Sequence, residues 1–149
     1  MRTRIGDPVD RHALRRIGGP DGDIAGGLVF APARDLGEWR QVEDELTEAF
    51  LLSREAMAVE APVVYLLRSP AILGRSGPLD SAVAAGLVGG ARALAFEGRR
   101  RGRYATVIGV DGDEPPDRVA EAVTFALTTR AAAGQVVMLG HEHLGAMLP

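Results

Sequence analysis

The chain has 149 residues, with 17 basic and 20 acidic side chains, a net charge of −3 and an isoelectric point near 5.6. This balance excludes a general electrostatic attraction to nucleic acid or to an anionic membrane surface. The sequence has no cysteine, which excludes disulfides, thiolate chemistry and Cys-based zinc sites, and every basic residue is arginine, which excludes chemistry that needs a lysine amine.

The elements alternate along the chain. Asp7-Pro8 opens a helix, since Asp accepts from an orphan N–H and Pro fits the first helical position. That helix runs to about Ile17 and stops at Gly18-Gly19-Pro20. Ile24 to Ala33 is a short apolar run that suits a buried parallel strand. Glu38 to Ala58 is helical, with Trp39, Val42, Leu46, Ala49, Phe50 and Met57 near a 3.6 period. Pro62 to Leu67 reads as a strand, Arg68 to Pro78 as a Gly/Pro/Ser loop, and Leu79 to Gly98 as a long helix. Tyr104 to Val110 is a strand, Asp111-Gly112-Asp113 a turn, Pro115-Pro116 the start of a helix to about Arg130, and Gln135 to Leu139 a last strand. Strands separated by helices predict an α/β domain over residues 1–149, a mainly parallel sheet of 4–5 strands in a three-layer sandwich. The first ten residues lack the apolar core of a secretory signal. No apolar run reaches the roughly 18 residues of a membrane span. The expectation is a cytoplasmic protein.

Four clusters of the sequence could form sites. His141-Glu142-His143 offers two metal ligands without a visible third or fourth, so it reads as a loop and no metal site is expected. Arg99-Arg100-Arg101 with Arg103 follows a helix, where positive charge complements the macrodipole, and is not read as a nucleic-acid patch. Asp111, Asp113 and Glu114 read as a polar turn. Gly86, Gly89 and Gly90 are costly inside a helix, at roughly 1 kcal/mol each against alanine. With Ala82, Ala85 and Ala93 they form a small-residue face, suited either to close packing on the sheet or to a helix–helix interface through Ala82, Gly86, Gly89 and Ala93.

Several stretches resemble the short-chain dehydrogenase/reductase family. Asp23 to Ala33 is similar to that family's fourth strand. Trp39 and Leu46 to Arg54 are similar to its next helix, and Pro62 to Leu67 to the strand leading to its catalytic serine. Ala91-Arg92-Ala93-Leu94-Ala95-Phe96-Glu97-Gly98 resembles the end of the helix carrying Tyr-x-x-x-Lys. Arg118 to Leu127 and Gly134 to Val137 resemble the closing helix and strand. The resemblance implies a reduced Rossmann-like fold in which the first β-α-β-α region of the family is absent. It also implies that the helices of residues 38–58 and 79–98 form a two-fold bundle. It puts Asp80 at the family's acid/base tyrosine, Ala84 at its lysine, Glu45 at its helix asparagine, and the serine near Leu67, Arg68 or Ser69. No Gly-rich dinucleotide turn follows a strand, so no NAD or NADP cofactor is expected.

Three readings of function follow. One is a non-catalytic subunit, a pseudoenzyme that assembles with itself or with a full-length family member. A second is a cofactor-independent enzyme acting on a small molecule in the remaining substrate-side cleft, with Glu45, Ser69 and Asp80 as its polar groups. A third is a ligand-sensing module using the same cleft. The resemblance also leaves strand 24–31 without its inner neighbour. Arg2 to Ile5 is expected to fill that place through a right-handed crossover, with its arginines discouraging further pairing at the edge.

Overall fold

The structure is a computed structural model and describes residues 1–98 and 102–142. Five strands form one sheet in sequential order: β1 (Arg2–Ile5), β2 (Leu28–Ala31), β3 (Val63–Arg68), β4 (Ala105–Val110) and β5 (Val136–Leu139). Every neighbouring pair is parallel. The helices are α1 (Pro8–Leu14), α2 (Trp39–Ala58), α3 (Ser69–Ile72), α4 (Pro78–Gly98) and α5 (Pro116–Thr129).

Alternation along the strands divides the core in two. Leu28, Phe30, Val63, Tyr65, Leu67 and Val107 face α2 and α4, where they meet Val42, Ala49, Val83 and Leu87. Val29, Ala31, Val64, Leu66, Ile108 and Val110 face α1 and α5, where they meet Leu14, Val119 and Val123. Burial on both faces is why β3 and β4 read as near-continuous apolar runs. Among the described residues α4 is long and apolar enough to cross a membrane by length and composition. Its Val83, Ala84, Leu87 and Ala91 are buried in the core beside the sheet.

In a sequentially ordered parallel sheet, the face on which a helix lies sets the hand of its crossover. The β2–α2–β3 and β3–α4–β4 units share one face and one hand, and the β1–α1–β2 and β4–α5–β5 units, on the opposite face, have the opposite hand. Arg2 to Ile5 occupies the edge beside β2. The α2 face opposite β1 is already filled: Glu45, Glu48 and Glu55 of α2 bind Arg4 and Arg2. The edge arginines are therefore tied inward rather than left free. The edge itself is closed in part by Gly19, whose carbonyl accepts from Thr3 N–H at 3.0 Å.

Local boundaries also differ from the sequence reading: α1 ends at Leu14 rather than near Ile17. Residues 24–26 form a 3-10 turn, capped by Asp23 through Ala25 N–H, and the strand begins at Leu28. Gly27 at φ 121° makes that break, a conformation that side chains rarely adopt. The loop after β3 contains the short helix α3, with Pro70 in its first turn.

Candidate functional site at the carboxyl ends of the strands

Ligands of open parallel sheets bind outside the carboxyl ends of the strands. Here that edge holds a network of four charged side chains from four segments. Gly6 leaves β1 so close to the Ala33 backbone that a Cβ would collide with it. Asp7 follows and is 2% exposed. Arg34, after β2, grips Asp7 with two nitrogens: Nε reaches Oδ2, and Nη2 reaches Oδ1 at 3.0 Å. Arg68, the last residue of β3, places Nη2 3.3 Å from Asp7 Oδ2 and 2.5 Å from Asp10 Oδ1 on α1. Its Nη1 donates to the Asp111 carbonyl at 3.4 Å.

Burial pushes the Asp10 carboxyl up to about 6. The Arg68 charge opposes this and the Asp7 carboxylate adds to it. Such a value suits proton exchange near neutrality. Asp10, Arg34 and Arg68 line a pocket of about 180 Å³. Pro32, Leu66, Val83 and Ala84 are among its apolar walls, and Asp35, Ser76 and Asp80 are among its polar ones.

The three polar residues singled out from the sequence do not converge. Asp80 lines this pocket, but its carboxylate accepts from the backbone N–H groups of Asp35 and Leu36, each at 3.1 Å. It anchors the loop after β2. Ser69 is fully buried at the start of α3. Its hydroxyl and Asp111 Oδ1 make no hydrogen bond of strict geometry, yet the Ser69 hydroxyl is the main group holding the Asp111 carboxyl below its ordinary value. The His141 and Glu142 N–H groups, bound to Asp111 Oδ2 at 2.8 and 3.3 Å, act in the same direction. Glu45 lies on the α2 flank that meets β1, in a bidentate pair with Arg4. Ala84 is 2% exposed in the core.

The turn after β1 does not fit a dinucleotide. In a dinucleotide fold the first strand–helix turn offers glycine backbone to a pyrophosphate. Here that turn presents the buried carboxylates Asp7 and Asp10, which oppose a polyanion. Glu114 pairs with Arg118 one helical turn away. Among the described residues no group of three or more His, Asp or Glu side chains could hold a metal ion. Arg99, Arg100 and Arg101 of the basic cluster and His143 lie outside the described residues.

A second concave surface runs between α2 and α4 on their outer side. It encloses about 640 Å³. Tyr65 OH and Ser53 Oγ meet on its floor at 2.7 Å, both residues 2% exposed. Leu46, Met57, Leu87 and Leu94 are among its apolar lining. Gly86 is exposed yet lies against α2, where a Cβ would stand 2.8 Å from Leu46 Cδ2. Gly89 opens outward with nothing within 4 Å of such a Cβ. Ala93 lines the groove, and Ala82 packs partly buried against the core. Phe50, on the groove lining, is 62% exposed and Phe96 82% exposed.

No family profile matches the sequence. No curated protein matches it either. Among solved structures, 4-hydroxyisoleucine dehydrogenase in complex with NADH and succinate superposes with a TM-score of 0.61 at 14% identity. The fold is Rossmann-like. The superposition covers 74% of this chain and 65% of that one, so the chain spans a little under two thirds of that dehydrogenase's length. At this identity the likeness concerns the Rossmann-like scaffold, and the chemistry has to be read from the residues on it.

Sequence reasoning missed Asp7, Asp10 and Arg34 as members of one cluster. They are local helix-start and loop residues in sequence, and only the parallel packing of β1, β2 and β3 brings them to Arg68. The available signal was indirect: an arginine closing an apolar strand needs an anionic partner at the carboxyl edge.

Proposed function

We propose that this chain is a non-catalytic subunit related to the short-chain dehydrogenases, working in the cytoplasm by assembly with itself or with a complete member of that family. The observation that carries this reading is the outer face of α2 and α4. Phe50 stands exposed on the lining of a groove that also includes Gly86, Gly90 and Ala93, and Phe96 of α4 is exposed as well. Protruding rings and a small-residue hollow on one surface can complement each other across a two-fold axis. Further support comes from the positions the resemblance assigns to catalysis. Asp80 is engaged with backbone, Ala84 cannot ionise, and the turn after β1 is acidic.

The test is the mass of the native particle at tens of micromolar, together with recovery of partners from the host on the tagged chain. The expected result is a dimer, or a complex with a complete dehydrogenase of that family, weakened by Phe96→Glu while the circular dichroism stays unchanged. A monomer that recovers no such partner would overturn the reading.

One observation favours a second reading, a ligand-binding or cofactor-independent role for the carboxyl-edge cleft. It is the placement of Asp10, buried yet lining a pocket, with a proton affinity near neutrality.

A further inference from the structure

Two charged groups in the carboxyl-edge pocket are only half used. Asp10 gives Oδ1 to Arg68, and no partner for its Oδ2 is found among the described residues. Arg34 commits Nε and Nη2 to Asp7, and no partner for its Nη1 is found among the described residues. Both residues line the same pocket, with Pro32, Leu66 and Val83 among its apolar walls.

The charge around the pocket disfavours a simple ion of either sign. A bare anion would meet the Asp10, Asp35 and Asp80 carboxylates. A bare cation would meet the Arg34 and Arg68 guanidiniums. A molecule carrying one ammonium and one carboxylate a few bonds apart satisfies both open groups at once. The volume of about 180 Å³ lies below the roughly 300–1,000 Å³ of drug-sized sites, so the molecule has to be small.

We propose that this pocket binds a small zwitterionic α-amino acid, its ammonium on Asp10 Oδ2, its carboxylate on Arg34 Nη1 and its side chain against Pro32, Leu66 and Val83. The proposal rests on the second reading above, that the cleft takes a small molecule.

Binding is coupled to a proton. Asp10 is faced by Asp7 at the end of β1, Arg34 after β2 and Arg68 at the end of β3. Asp35 and Asp80 line the pocket with it. At the start of α5, Glu114 and Asp117 are engaged with Arg118 and Arg16, and Asp111 is held by the N–H groups of residues 141 and 142. An ammonium beside Oδ2 favours the ionised carboxyl, so affinity rises with pH through the range in which free Asp10 titrates. Between pH 5 and 7 the ionised fraction of a group with a pKa of about 6 grows about tenfold, which bounds the gain in affinity.

The experiment is calorimetry on the full chain with glycine, alanine and valine at about pH 5 and about pH 7. Isobutylamine and isobutyrate serve as probes with one arm each. The expected result is binding of at least one amino acid, several-fold tighter at the higher pH, with both one-armed probes at least tenfold weaker. Asp10→Asn should abolish the pH dependence. Arg34→Gln should weaken the amino acid and isobutyrate but leave isobutylamine unchanged. If a one-armed probe binds as tightly as the amino acids, the ligand class falls while the cleft reading stands. If no probe binds, and a broader set of small neutral metabolites leaves the melting temperature unmoved, the cleft reading falls with it. A pH dependence that survives Asp10→Asn would also overturn the proposal.

Discussion

Arg4 and Glu45 form a two-pronged ion pair, Nη1 to Oε2 at 2.7 Å and Nη2 to Oε1 at 2.6 Å, that fastens edge strand β1 to helix α2. The Arg4 guanidinium also lies 4.8 Å from the centroid of the Phe30 ring, and its Nε donates to Glu48 at 2.8 Å. Glu45 is 7% exposed and lines neither of the two pockets described above. Glu45→Ala should cost about 2 kcal/mol. Removing one partner of a fully buried pair costs about 3–5 kcal/mol, and here Arg4 keeps Glu48 and some solvent. Urea denaturation reads the change, and an unchanged midpoint would show that β1 is held by its strand pairing alone.

Asp10 makes stability depend on pH in the sense opposite to most carboxylates. Its pKa rises from 3.8 to about 6 on folding, so between those values the native chain holds more protons than the unfolded one. The contribution is complete below about pH 4 and is lost as pH rises through about 6, a swing of at most about 3 kcal/mol at 1.36 kcal/mol per unit. Asp10→Asn should flatten this part of the stability profile while still accepting from Arg68. Guanidinium titrations at a series of pH values measure it, and a slope that is the same in the variant would assign the effect to another group.

The Ser53–Tyr65 hydrogen bond predicts a non-additive pair. Burial raises the Tyr65 pKa and Ser53 partly offsets it, so the phenol stays neutral and shares one proton-bearing bond with the serine. Tyr65→Phe and Ser53→Ala should each cost about 1–2 kcal/mol by leaving a buried oxygen without its partner. The double variant should cost less than their sum by about 1 kcal/mol. Strict additivity in the cycle would mean that water in the α2–α4 groove replaces whichever hydroxyl is removed.

How much of this was legible in the sequence depended on locality. β3 and β4 were readable because each is apolar on both faces and rich in β-branched residues. The amphipathic α2 announced itself at a helical period, whereas the capping box of Glu38 and Gln41 that opens it was not read. The strand proposed from Ile24 started too early because Gly26-Gly27 looked like part of an apolar run, whereas Gly27 turns the backbone there. α3 has four residues and no periodic signal. The charged network at the carboxyl edge was invisible for a deeper reason. Arg68 is separated from Asp7 by 61 positions and from Asp10 by 58, and no spacing rule links residues that meet only through the sheet.

The face shared by α1 and α5 also sets when the chain can finish folding. Leu14 packs into the same cluster as Val119 and Val123, and Arg16 reaches Asp117 across 101 positions of sequence. During synthesis at about 5–20 residues per second, that interval corresponds to roughly 5–20 s. The β2–α2–β3 unit, which ends at Arg68, is complete well before α5 begins at Pro116. The first strand and helix are therefore made before the other described elements but acquire their full packing among the last.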